Sequence, residues 1–100
     1  MSNWKPTTQI KRALEKFMRS QGVDEKTNEH AANLMLVWWE LKNSVKNLAV
    51  TSRAYQSLCD AENDAYWDVL RFAMRTSIEI GDDAEVAIVK AFQTFNHSIS

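Results

Sequence analysis

Apolar residues recur every three or four positions in four stretches of the chain, the spacing of one face of an α-helix. The first stretch puts Ile10, Ala13, Leu14, Phe17 and Met18 on one stripe of a helix predicted from about Thr8 to Gln21. Thr7, after Pro6, is its cap, and Gly22 is the left-handed residue that ends it. In the second stretch Asp24 or Thr27 caps a helix that carries Ala31, Leu34, Trp38, Leu41, Val45 and Leu48 and ends near Val50 to Ser52. A third helix is predicted from Thr51 or Ser52 to about Glu79, because Ala54, Leu58, Ala61, Ala65, Val69 and Phe72 keep the helical period, with Asp60 to Asn63 as the place where it could break. The last opens after Gly81, where Asp82 and Glu85 have capping-box spacing, and puts Ile88, Ala91, Phe92, Phe95 and Ile99 on one side. The expected fold is all-α: a compact bundle of four helices, two long central ones flanked by shorter amphipathic terminal ones.

Two helices carry more apolar surface than one face holds. Trp38 and Trp39 are adjacent, so on a helix they point about 100° apart. If Trp38 belongs to the main face of the second helix, Ala32, Leu36 and Trp39 form another strip on nearly the opposite side. In the third helix Trp67, Leu70 and Met74 make a similar extra strip beside a main face rich in alanine. A helix that is apolar on two sides is either central in its own domain or part of an interface. The strips therefore either pack internally, for instance beneath an N-terminal arm of residues 1–6 that contains Trp4, or bind a partner. Leu36, Trp39, Trp67, Leu70 and Met74 are the candidate interface residues, with a second copy of the chain as the first expectation and a partner helix in a groove as the alternative.

Composition narrows this picture. In 100 residues only Pro6, Gly22 and Gly81 are Gly or Pro, which leaves little to build tight hairpins. The chain is 45% hydrophobic and 25% charged, as expected for one globular domain spanning residues 1–100. One cysteine, Cys59, cannot form an internal disulfide, and no apolar run approaches the roughly 18 residues of a membrane span, so a cytoplasmic protein without a membrane partner is expected.

A net charge of −1 gives no whole-molecule attraction to nucleic acid, but the charges are unevenly placed. Residues 1–22 hold five basic side chains against one acidic, and residues 60–85 hold eight acidic against two basic. Asp60, Asp64 and Asp68 stack at i, i+4 and i+8 as an acidic face, while Arg12, Lys16 and Arg19 share a basic face on the first helix. The acidic ladder suggests an alternative function: an inhibitor or accessory subunit of a nucleic-acid-handling enzyme, such as a phage or mobile-element anti-defence protein. The basic face suggests a third, direct nucleic-acid binding. Residues 13–35 have the outline of a helix-turn-helix around Gly22, but Asn28 stands where an apolar residue should lock the second helix, and Asp24 and Glu25 would turn negative charge toward phosphate.

Catalytic chemistry finds no support in the pattern. Nothing local activates Cys59 with His30 or His97, and no oxyanion-type glycine turn accompanies it. The segment from Asp60 to Ala65 begins like a calcium loop, but Ala65 replaces its glycine and Arg71 its final glutamate. Two histidines and one cysteine are too few for an ordinary zinc site, and there is no glycine-rich phosphate loop. No enzyme activity, cofactor, metal or small-molecule substrate is expected. The sequence points to a small non-catalytic protein that works by binding protein, its own copy first.

Overall fold

The computed structural model describes the chain from Pro6 to Ile99, with side chains from Thr8 to His97. Trp4 and the side chains of Thr7 and Ile99 lie outside what is described; of the proposed arm only Pro6 is described, already inside the first helix, so Thr7 falls within the first turn of α1 and is not the cap expected from the sequence. Four helices follow one another: α1 (Pro6–Ser20), α2 (Glu25–Lys46), α3 (Arg53–Ile80) and α4 (Asp82–Ile99). Among the described residues there is no strand.

Local chemistry fixes the ends. After α1, Gly22 takes φ of 90° and its N–H bonds the Arg19 carbonyl at 3.0 Å, while the Val23 N–H reaches back to the Met18 carbonyl at 3.1 Å. That is a Schellman turn, and its two flanking apolar residues, Met18 and Val23, are both buried. Asp24 caps α2 by accepting from the Thr27 N–H at 3.2 Å and the Thr27 hydroxyl at 2.7 Å. The second helix stops at Lys46, earlier than expected, so Leu48 falls in the connection. Ser52 caps α3 through the Ala54 N–H, and α3 runs unbroken through Asp60 to Asn63. Asp82 lies in the first turn of α4, where its carboxylate accepts from the Ser77 hydroxyl and ties the start of α4 to the end of α3.

Neighbouring helices run antiparallel. Asn28 on α2 bonds the Glu15 carbonyl on α1; Trp38 on α2 bonds Glu62 on α3; Tyr66 on α3 meets Phe92 on α4 at 5.3 Å, far from the Ser77–Asp82 bond. α1 and α4 also pack together and close the ring. The body measures 44 × 39 × 20 Å. Its longest dimension matches the 28 residues of α3 at 1.5 Å each, and its thickness matches two helix layers.

The core joins Leu14, Met18, Ala31, Met35, Trp38, Val69, Ala73, Ile88, Phe92 and Phe95 from all four helices. On α2 the fully buried positions are Asn28, Ala31, Ala32, Met35 and Trp38. Their centre lies near Met35, about 60° from Trp38 around the helix, so the buried face is turned away from the expected line through Leu34, Leu41 and Val45. The reason is that α2 is clasped from both sides, by α1 and by α3. Trp38 and Trp39 flank the direction of Met35, and both meet the core: Trp38 is 1% exposed, and Trp39 is partly buried against it.

Trp38 should therefore dominate stability. Trp38→Ala is expected to cost about 3–5 kcal/mol, and Trp38→Phe, which keeps a ring but abandons the Glu62 acceptor, about 1–3 kcal/mol. Trp39→Ala should cost clearly less than Trp38→Ala. Urea unfolding followed by circular dichroism checks the order, and an equal or larger loss from Trp39→Ala would contradict it.

Candidate interaction surfaces

Of the five residues expected at an interface, two stand on open surface. Trp67 is 47% exposed and Met74 60% exposed. Trp39 and Leu70 are partly buried against the core, and Leu36 is half-buried. Ala32, the third member of the extra strip on α2, is fully buried. Helical position puts Trp39 on the side of α2 that carries Asn28, which bonds to α1, whereas Trp67 and Met74 lie on the outer side of α3. The two strips thus face different directions and do not form one patch.

The outer face of α3 gains a residue that the sequence reading did not single out. Ile78 is 87% exposed, and with Trp67 and Met74 it falls within an arc of about 40° around the helix. The opposite side of α3 holds the buried Ala65, Val69, Ala73 and Thr76, small residues that let α2 and α4 approach closely. Tyr66 and Trp67 divide the two directions: Tyr66 turns inward to Phe92, and Trp67 stands edge-on to Tyr66 at 5.8 Å. Continuing the helical spacing past Met74 to position 78 was the available signal for Ile78.

The acidic face is exposed along its length. Asp60 accepts a bond from Gln56 at 3.0 Å, and Asp68 pairs with Arg71 at 3.1 Å. Asp64 and Arg75 are exposed on the same flank of the helix and carry no ion pair among the described residues. Beneath this flank His30 stacks on Phe72, with ring centres 4.4 Å apart.

On the basic face Arg12, Lys16 and Arg19 are all exposed, but they are not equally available. The Arg19 guanidinium forks onto both oxygens of Glu25, at 2.7 and 3.1 Å, clamping the end of α1 to the first turn of α2. Lys11 approaches Glu29 at 3.9 Å beside it. Asn28, which sequence alone marks as misplaced, is fully buried: its amide donates to the Glu15 carbonyl at 3.1 Å, and its Oδ1 has no hydrogen-bond partner among the described residues. The α1–α2 corner is thus held by polar contacts at a position where the helix-turn-helix pattern calls for an apolar one.

An apolar groove of about 380 Å³ runs between α1 and α4, lined chiefly by Ile10, Ala13, Leu14 and Phe17 with Ala91 and Phe95. Cys59, half-buried, lies one turn beyond Tyr55, and the contact between them pushes the Tyr55 phenol up from its ordinary range. Among the described residues no cluster of three histidine, cysteine or carboxylate side chains could hold a metal ion, and no helix is long and apolar enough to cross a membrane. No protein-family model, curated protein or solved structure matches the chain.

The corner makes a prediction about acid. Bonds from Thr27 hold the Asp24 carboxyl below its ordinary 3.8, and the Arg19 fork holds Glu25 below its ordinary 4.5. Carboxyls depressed in the folded state contribute stability that is complete above their unfolded pKa and is lost as pH falls through the folded value. The loss from this corner therefore begins below about pH 4.5 and deepens as the pH falls further. Asp24→Asn with Glu25→Gln should flatten the acid limb of stability against pH while Asn keeps the cap; an unchanged limb in urea titrations would show that the corner contributes nothing.

Proposed function

We propose that this protein is a small non-catalytic interaction module that binds its own copy through the outer face of α3. The observation that carries the reading is the line of Trp67, Met74 and Ile78, exposed on one helix face while the core behind it is already filled from four helices. Large side chains of this kind are the usual anchors of protein interfaces, and a line of three exceeds what a lone monomer surface needs. The helix beneath is supported on its inner face by α2 and α4, so the strip is presented on a rigid element. A single helix face offers limited area, so a weak, reversible association is expected. The lone Cys59 and the lack of a disulfide suit a reducing cytoplasm.

The exposed Asp60, Asp64 and Asp68 favour one second reading, an inhibitory or accessory subunit that meets a basic surface on a nucleic-acid enzyme. Salt separates the two. Binding through the ladder should weaken steeply with ionic strength, whereas the apolar strip should respond little.

Light scattering from roughly 1 to 300 μM tests the self-association. The chain is expected to shift from monomer mass toward dimer mass, and Met74→Asp with Ile78→Asp, both at well-exposed positions, should stay monomeric with an unchanged helical spectrum. A wild-type chain that remains monomeric throughout would overturn the proposal.

A further inference from the structure

The charges beside the apolar line select one way for two copies to meet. On α3 the flank next to Trp67 carries Asp64, Asp68, Arg71 and Arg75, all between about 40° and 100° around the helix from Trp67. Read along the helix, the acidic pair comes first and the basic pair second. A two-fold axis perpendicular to a helix reverses its direction but keeps each flank on the same side of the interface. Such an axis lays the acidic half of one flank against the basic half of the other.

Resting on the self-association proposed above, we infer that the second copy docks antiparallel, α3 upon α3, about a two-fold axis near Leu70. Trp67 then meets the partner's Met74, and Asp64 meets the partner's Arg75. These two charges are the ones on this flank without an ion pair among the described residues of the single chain. Asp68 and Arg71, paired with each other at 3.1 Å, sit beside the axis, where the partner's Asp68 and the partner's Arg71 complete a four-charge group. Trp67 also comes within reach of the partner's Arg71, a guanidinium-on-indole arrangement. A parallel pairing, about an axis along the helices, puts the two flanks on opposite sides of the contact and so makes none of these pairs, and it sets Asp60, which lies within the arc of the apolar line, level with the partner's Asp60. The apolar line supplies the affinity in this arrangement, and the flank supplies the direction.

Charge exchange tests it. Asp64→Arg and Arg75→Asp, both at exposed positions, are prepared as separate proteins and checked for unchanged helicity. Each alone puts like charges at both ends of the contact and should self-associate about tenfold more weakly than wild type. Mixed in equal amounts they have opposite charges at both ends, so native mass spectrometry should find the mixed dimer in clear excess over either homodimer. The double variant should recover wild-type affinity. If wild type dimerises but the mixture gains nothing, the antiparallel docking is wrong while self-association stands; if wild type stays monomeric, both fall.

Discussion

The bundle is organised by one side chain, Trp38. Its indole N–H donates to the Glu62 carboxylate on α3 at 3.0 Å, and its ring stands nearly perpendicular to Phe92 and Phe95 on α4, at 5.0 and 5.9 Å. The Lys42 ammonium lies 5.1 Å from the ring centre on its own helix. A buried indole needs a partner for its N–H, and Glu62 meets that need from the neighbouring helix. One residue of α2 thus fixes the level of α3 and the position of α4. With α2 clasped between α1 and α3, those directional contacts hold its rotation: Met35 stands at the centre of the buried arc, with Trp38 at one edge and Trp39 at the other.

From that rotation the outside of the molecule follows. α3 is held on one side by α2, through Glu62 and Phe72, and on the other by α4, through Tyr66 and Ser77. What remains is the face opposite Ala65, Val69 and Ala73, and there the chain places Trp67, Met74 and Ile78. The two adjacent aromatic pairs, Trp38 with Trp39 and Tyr66 with Trp67, resolve differently. In the first both rings reach the core, because α2 has neighbours on two sides of a wide arc. In the second only Tyr66 does, because α3 turns its next position outward.

Much of this is legible in the sequence. The period of three to four fixed the number, type and order of the helices, and Gly22 and Gly81 marked two of the three breaks because both take positive φ. Less legible was which way each helix turns. Leu34, Trp38, Leu41 and Val45 make a regular stripe, yet the buried arc runs through Asn28, Ala32 and Met35, since the placement of α1 and α3 outweighs the local pattern. Asn28 looked misplaced because its partner, a carbonyl in the middle of α1, is thirteen residues away and nothing local announces it. Trp39 and Leu36 looked equivalent to Trp67 and Met74 for the same reason: periodicity finds a second apolar strip but does not say which neighbouring helix covers it.

If a second copy covers the apolar line on α3, as proposed, the burial is readable at Trp67 itself. With 5-fluorotryptophan in place of tryptophan, each indole reports separately by fluorine NMR, and the Trp67 signal is identified by its loss in Trp67→Phe. Between roughly 10 and 500 μM protein, that signal should shift and lose its sensitivity to exchange of H₂O for D₂O, while the Trp38 signal stays put. A Trp67 signal that remains equally solvent-sensitive at every concentration would contradict the account.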